Sequence, residues 1–247
     1  LMDRNILALR DIPEGYPLSA RQSIQVGCEK TGKPHVEPAK IRAFLGRLKH
    51  PLYFLDFETF MAAIPPYDAL SPYEQVPFQY SLHVVEAPGR RAEHCSYLSD
   101  GRADPRPEVL SGLQQRLGRS GSIVAYNASF ETRVLKSCAR RFPEFQSWCE
   151  SIQPRFVDLM APFRDFHYYH PQQLGSVSLK YVLPALTSAG YEGLDISEGG
   201  LASLRFREMA FGDATEERKK EIRGALETYC RLDTEGMVRI LDALRRV

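Results

Sequence analysis

The feature that most constrains the fold is the stretch Leu52–Thr59, in which an apolar run ends in two carboxylates. Its aromatic residues and the preceding Pro51 predict a buried β-strand. Because side chains alternate along a strand, Asp56 and Glu58 share one face, whereas Phe57 turns into the core. Neighbouring carboxylates repel each other and resist burial unless a cation lies between them. Divalent ions such as Mg²⁺ prefer such oxygen ligands, so the pair is a candidate metal site.

The composition of the chain limits its class. The 247 residues, of which 43% are hydrophobic, suffice for one large domain or one domain with a small appendage. A net charge of +1 gives no overall attraction to nucleic acid, so any basic surface must be local. Five cysteines without a C-x-x-C pair favour reduced thiols over a disulfide framework or a zinc site. We find no signal-peptide pattern and no apolar run that would span a bilayer, and we expect a cytoplasmic protein with no membrane association.

The order of elements predicts an α/β fold. We expect residues 1–50 to form a connector with one lead-in helix after Pro38, and residues 51–247 to form the functional domain. Three strands with hairpin-type connections come first, and helices then alternate with strands, so the sheet should be antiparallel at first and parallel afterwards, flanked by helices. The strand-like runs are Leu52–Phe57, Phe78–Glu86, Ala92–Leu98, Ile123–Tyr126 and Phe156–Met160. The helical patterns follow Asp104, Ser129 and Ser178, and the last runs from about Glu216 to Arg246.

A proline-rich loop, 61–77, follows the first strand. Loops of this length inside a compact domain are usually functional or mobile. Tyr67, Tyr73 and Phe78 are candidates for stacking on nucleic-acid bases, although such aromatics also pack simply to fold a loop down.

Further acidic residues lie downstream of the first strand. Glu131 is in the first turn of a helix that Asn127 or Ser129 could cap, where the helix dipole favours negative charge. Tyr229 and Asp233 are four residues apart on the last helix, so they share one face. Each observation has an ordinary alternative, because Glu131 could serve only the helix terminus and Asp233 could be a solvated side chain.

Together these residues resemble the DEDD exonuclease superfamily, and specifically its tyrosine branch. That family carries D-x-E on the first strand, N-x-x-x-(F/Y)-D in the middle and Y-x-x-x-D on a late helix. Asp56 and Glu58 match the first motif, and Tyr229 and Asp233 match the third. Asn127, Phe130 and Glu131 match the second with one residue fewer and with Glu in place of Asp.

The resemblance implies a ribonuclease-H-like fold and a metal-dependent 3′–5′ exonuclease acting on single-stranded DNA or RNA, or on short oligonucleotides. Two Mg²⁺ or Mn²⁺ ions would be held by Asp56, Glu58, Glu131 and Asp233, and Tyr229 would orient the attacking water or help to remove its proton. The product would be a nucleoside monophosphate. The candidate substrate contacts are Phe57, Thr59, Asn127, Phe130 and Lys180.

A longer pattern, which includes Pro72–His83 and Ser178–Leu186, resembles a bacterial family known only as a domain of unknown function. Members often follow a PD-(D/E)XK-like nuclease domain, so we expect a further N-terminal domain in the complete protein, of which a chain starting at Leu1 would be a fragment. Two alternatives stay open: a catalytically silent nucleic-acid-binding or scaffold domain that serves an upstream nuclease, and a phosphodiesterase that uses the same site on small molecules. Lys and Arg residues between Arg133 and Arg141 could meet phosphates or form a solvated face.

Overall fold

A computed structural model describes residues 6–247 of the chain. The β-strands are β1 (His35–Val36), β2 (Leu52–Phe60), β3 (Val76–Val85), β4 (Glu93–Leu98), β5 (Ser122–Ala125), β6 (Phe156–Asp158) and β7 (Tyr168–Tyr169). The α-helices are α1 (Ala20–Thr31), α2 (Pro38–Leu45), α3 (Arg106–Arg116), α4 (Ser129–Arg141), α5 (Gln146–Ile152), α6 (Ala161–Arg164), α7 (Leu179–Leu186), α8 (Gly199–Phe211) and α9 (Glu216–Leu244). Single 3₁₀ turns lie at Leu9–Asp11, Pro143–Phe145, Gln153–Arg155 and Pro171–Gln173.

The chain divides into two compact units. The first combines the residues up to Arg47 with Met160–Gly190 and Arg239–Val247, and it contains a small antiparallel sheet of β1 and β7. The second comprises Leu48–Leu159 and Tyr191–Val238. The boundary at residue 50 stays a prediction.

Helix α1 was not expected from the sequence, which predicted a single helix within residues 1–50. The helix begins at a capping box, in which Ser19 accepts from the backbone N–H of Gln22 and the Gln22 side chain accepts from the backbone N–H of Ser19. Such a reciprocal pair satisfies two backbone donors that a helix start otherwise leaves without partners. The signal was therefore present in the sequence as Ser-x-x-Gln.

The second unit is built on a five-stranded sheet in the order β4–β3–β2–β5–β6. Strands β2, β3 and β4 are antiparallel, whereas β5 and β6 run parallel to β2. The predicted mixed α/β sheet, antiparallel first and parallel afterwards, is confirmed. Its order, with β2 in the centre, is compatible with a ribonuclease-H-like fold.

Helices cover both faces of this sheet. On one face, Leu55 and Phe57 of β2 pack in a core with apolar side chains of α3, α4 and α5. On the other face, Phe60 and Phe78 pack with residues of α8 and α9, and the ring of Phe78 stacks on Phe206 at a centroid distance of 4.0 Å. Because the side chains of β2 alternate, the second face also receives Asp56 and Glu58.

The loop between β2 and β3 is tied to the rest of the second unit. The Tyr67 hydroxyl donates to the Gly101 carbonyl (3.1 Å), and the buried Arg106 guanidinium pairs with both Glu74 and Asp104. Phe78 is fully buried, so the idea that it stacks on bases is wrong. Of the three aromatics suggested for stacking, Tyr73 is the exposed one, with 67% of its surface accessible.

None of the helices within residues 6–247 is long and apolar enough to cross a membrane.

Candidate functional site

Strand β2 supplies the first two carboxylates of the site. Asp56 lies opposite Ser81 on β3, and Glu58 lies opposite Gln79. Glu58 is 94% buried, since only 6% of its surface is accessible. The pairing with β3 shifts register between Glu58 and Thr59, so the strand is irregular directly after the acidic pair. Bulges of this kind often lie beside functional sites, where they redirect side chains.

Helix α9 supplies the tyrosine and another carboxylate from its buried stripe. Leu226, Tyr229, Asp233 and Met237 recur at spacings of three and four residues, and all four are buried. Asp233 therefore occupies a position that the helical period assigns to the core. The alternative of a solvated Asp233 is wrong. The helix is anchored to β3 by Gln79, whose side-chain amide donates to the Leu226 carbonyl (3.0 Å).

Cys230 joins the site, although it was not among the predicted site residues. Its thiol donates to the Asp56 carboxylate, with 3.7 Å between Sγ and Oδ2. Ligand atoms of Asp56, Glu58 and Cys230 all lie within 4.8 Å of one another. Cys230 precedes Asp233 by three residues, so the two share one face of the helix, and this spacing was the available signal.

A second tyrosine was also missed. The Tyr191 hydroxyl donates a short hydrogen bond to Oδ1 of Asp233, and the rings of Tyr191 and Tyr229 are 6.2 Å apart. Tyr191 lies between α7 and α8, outside any regular element. No periodicity relates such a residue to α9, so the sequence carried no signal for this contact.

Glu131 is 1% exposed in the first turn of α4. The expected cap by Asn127 or Ser129 is not formed, because the N-cap residue is Ala128 and no side chain caps the helix. Instead, Asn127 has a positive φ of 69° and its side-chain oxygen accepts from the Ser129 hydroxyl.

Asp158 connects β6 to the turn that precedes α4. Its carboxylate accepts from the backbone N–H of Asn127 (3.0 Å). The bond fixes the turn from which Glu131 projects.

The electrostatics of the site show an excess of negative charge. Burial raises the pKa of Asp56 well above its ordinary value, and the charges of Asp233, Glu58 and Glu131 raise it further. Burial also raises the pKa of Glu131 to about 8, with a further contribution from Asp158. Glu58, Asp233 and Glu131 thus all lie near enough for their charges to act on Asp56. In the absence of a cation this repulsion favours protonation of the carboxyl groups.

The same negative charges raise the pKa of the Tyr229 hydroxyl and of the Cys230 thiol. Burial raises the pKa of Tyr229, and the charges of Asp233, Glu58 and Asp56 raise it further. Burial and Asp56 likewise raise the pKa of Cys230. Both groups are therefore protonated at neutral pH in the metal-free protein.

The residues present fit a divalent cation. The Oε2 atom of Glu131 is buried and lacks a hydrogen-bond partner, a state that normally costs free energy. A cation would satisfy this atom and offset the repulsion around Asp56. The donor set of carboxylate oxygens suits Mg²⁺ or Mn²⁺, and the Cys230 thiol adds one softer donor.

The predicted substrate contacts lie at different depths. Phe57 is buried in the core below the acidic pair, Thr59 is partly buried after the register shift, and Asn127 is exposed beside the start of α4. Phe130 packs partly against the core, and the Arg133 guanidinium lies over its ring at 5.6 Å. Lys180 is on α7, which belongs to the first unit.

A sequence comparison places the chain in a family. The family model described as "Domain of unknown function (DUF2779)" matches residues 53–178, half of the chain. The chain belongs to the DUF2779 family. The expected membership in a domain-of-unknown-function family is thus confirmed, whereas the resemblance to DEDD exonucleases stays a prediction. No curated protein matches the chain in sequence.

The DUF2779 match covers part of the site. It includes Asp56, Glu58 and Glu131, and it ends before Tyr229 and Asp233. The contribution of α9 therefore rests on the structure of this chain.

The raised pKa of Glu131 predicts a pH-dependent stability in the metal-free protein. Between the ordinary value of 4.5 and about 8, folded Glu131 holds a proton that the unfolded chain releases. Stability should therefore fall as pH rises through this window, by roughly 1 kcal/mol per pH unit. The Glu131→Gln variant should lose the part of the slope that Glu131 contributes and keep the part that the raised pKa of Asp56 contributes, and it should be more stable than the wild type at about pH 8. Urea unfolding in EDTA, from about pH 5 to about pH 8, measures both quantities.

The exposed Glu217 on α9 provides the matched control. Glu217→Gln makes the same chemical change outside the site and should keep the wild-type slope. An equal slope in Glu131→Gln and wild type would show that Glu131 is ionised in the folded protein, contrary to its burial.

Proposed function

We propose that the chain is a metal-dependent exonuclease that hydrolyses phosphodiester bonds of single-stranded DNA or RNA from the 3′ end. The observation that carries this proposal is that Asp56 and Glu58 place ligand atoms within 4.8 Å of each other, and that the charges of Glu131 and Asp233 also act on Asp56. Tyr229 lies on the same buried stripe of α9 as Asp233. The polarity of degradation rests on the resemblance to the tyrosine branch of DEDD exonucleases.

Asp56, Glu58, Glu131 and Asp233 are the proposed ligands for two Mg²⁺ or Mn²⁺ ions. Such ions, when bound, acidify a water molecule and stabilise the negative charge that develops on the phosphate and the leaving oxygen. The ligands come from β2, α4 and α9, each of which the core holds in place. Rigid elements of this kind can keep the donors at fixed separations.

Tyr229 contributes a hydroxyl that stays protonated. The raised pKa makes it a poor general base near neutral pH, because a phenol needs a pKa near the working pH to take a proton efficiently. Its role in the proposed reaction is to donate a hydrogen bond that orients the water or a phosphate oxygen. Of the two roles implied by the resemblance, orientation is therefore the one we propose.

Tyr191 positions Asp233. Its hydroxyl donates to Oδ1 of Asp233 and so fixes the orientation of that carboxylate. A ligand whose rotamer is fixed by a neighbouring hydrogen bond loses less entropy when it binds a metal.

The proposed partners are single strands or short oligonucleotides. A net charge of +1 supplies no long-range attraction for a long duplex, and this favours short substrates. A covalently linked nuclease domain at the N-terminal side stays an expectation from the resemblance.

The repulsion among the carboxylates predicts a stabilising effect of metal. Millimolar Mn²⁺ or Mg²⁺ should raise the melting temperature by roughly 3 °C or more, because binding only to the folded state stabilises it. The gain should disappear in Asp56→Asn, which removes one ligand charge. Thermal unfolding with and without metal tests this expectation. Asp213→Asn, at an exposed position, is the matched control, and metal should raise its melting temperature as much as that of the wild type. If the wild-type protein has the same melting temperature with and without metal, the metal site is contradicted.

The Tyr229–Asp233 pair predicts two different losses of activity. Asp233→Ala removes a metal ligand and should nearly abolish release of mononucleotides from a labelled single strand. Tyr229→Phe removes only a hydroxyl and should slow release by roughly 10²-fold, the lower end of the loss when one positioned hydrogen-bond donor is removed. Strand binding should survive both changes.

The same helix offers a control for this experiment. Asp242 pairs with Arg245, and Asp242→Ala should leave the rate unchanged. If the wild-type protein binds single strands but degrades neither DNA nor RNA with Mg²⁺ or Mn²⁺, the chain is a nucleic-acid-binding module.

A further inference from the structure

A polar cavity lies in the second unit, beside the hairpin of β3 and β4. It has a volume of about 700 Å³, within the range of ligand pockets in proteins. Its charged lining consists of Arg90, Arg91 and Arg231 together with Glu86 and Glu93, and His83 and His94 complete the polar wall.

The three arginines of this cavity are not neutralised by the protein. Within the described residues, no ion pair or side-chain hydrogen bond holds Arg90, Arg91 or Arg231, whereas other arginines of the chain, such as Arg106 and Arg218, are paired with carboxylates. A guanidinium group offers a planar set of donors that matches a phosphate group. The cavity therefore presents positive groups that are free to meet an anion.

The histidine wall is held by a hydrogen-bond network. His94 Nε2 bonds to the Ser81 hydroxyl (2.9 Å), Ser81 bonds to the Thr234 hydroxyl (2.7 Å), and Thr234 bonds to His83 Nδ1 (2.8 Å). Ser81, Thr234 and His83 are all buried, and the two imidazole rings are 4.5 Å apart. One nitrogen of each ring is used in this network, which leaves the other nitrogen for a ligand.

The histidines contribute hydrogen bonds, and the arginines contribute the charge. Burial and, to a smaller extent, the neighbouring His94 lower the pKa of His83 to about 4, so His83 is neutral near pH 7. The arginines stay charged at every physiological pH. Glu86 and Glu93 are unsuited to contact the anion itself, but carboxylates accept hydrogen bonds from ribose hydroxyls and from amino groups of bases.

The cavity and the cluster of site carboxylates lie on different sides of α9. Arg231 lies on the cavity, and Tyr229 and Asp233, each two residues away, belong to the cluster. Residues two apart on a helix do not face each other. Thr234, which follows Asp233, bonds to Ser81, the cross-strand neighbour of Asp56. The two sites are therefore separate but share one hydrogen-bonded frame.

We propose that this cavity is a second binding site, which takes a phosphorylated nucleotide unit with its phosphate at Arg90, Arg91 and Arg231. The unit is either a free mononucleotide or one nucleotide within a strand. The site needs no metal, so it does not depend on the proposed nuclease activity.

Isothermal titration calorimetry in EDTA tests the proposal with adenosine 5′-monophosphate, inorganic phosphate and adenosine. The two phosphate-bearing probes should bind, and adenosine should bind far more weakly. Arg231→Gln should weaken adenosine 5′-monophosphate binding by about tenfold or more, the effect of losing one charged hydrogen bond. The double variant Arg90→Gln/Arg91→Gln should also weaken it. Arg119→Gln, at an exposed position elsewhere, is the matched control and should bind as the wild type does.

An oligothymidylate of about ten nucleotides distinguishes the two sources of the ligand. If the site takes a unit of a strand, Arg231→Gln should weaken oligonucleotide binding and reduce its salt dependence by about one phosphate contact. If it takes a free nucleotide, the oligonucleotide affinity should be the same in Arg231→Gln and wild type. The proposal is overturned if no phosphate-bearing probe binds, or if the Arg231 and Arg90/Arg91 variants bind adenosine 5′-monophosphate like the wild type. Because all these exposed positions tolerate glutamine without loss of core packing, a failure to bind is not a failure to fold.

Discussion

The repulsion among buried carboxylates is the constraint on which the rest of the site depends. Asp56 lies between elements that bring Glu58, Glu131 and Asp233 close enough to raise its pKa. Each of these acids would be more stable in water, so the fold must supply the free energy that holds them together. That free energy comes from the apolar contacts on the two faces of the sheet. A chain that retains such an arrangement gains from a cation at this position.

The frame around the cluster explains how the carboxylates are held. The Gln79 side chain donates to the backbone of α9 at Leu226, and Thr234, further along the helix, bonds to Ser81 on the same strand as Gln79. Both β3 residues lie opposite the acidic residues of β2. The helix that carries Tyr229 and Asp233 is thus fixed to the strand pair that carries Asp56 and Glu58. A shift of α9 would break buried hydrogen bonds, which is costly when the partners cannot reach water.

The sequence predicted much of the fold because its signals were local. Alternation along β2 placed Asp56 and Glu58 on one face, and the helical period placed Tyr229 with Asp233; both relations hold in the structure. The parts that could not be predicted depend on contacts between distant segments. Tyr191 reaches Asp233 from a loop, and nothing in the local sequence encodes that pairing. The predicted cap of α4 by Asn127 or Ser129 was wrong. Asn127 adopts a positive φ and hydrogen-bonds to Asp158 and Ser129 instead.

The most direct test of the metal site is an anomalous difference map from crystals soaked in Mn²⁺, recorded at the manganese absorption edge. We expect anomalous peaks bonded to the carboxylates of Asp56 and Glu58, with Glu131 and Asp233 completing the ligand set. Crystals that diffract well after soaking and show no anomalous peak within bonding distance of Asp56 would contradict the proposed metal site.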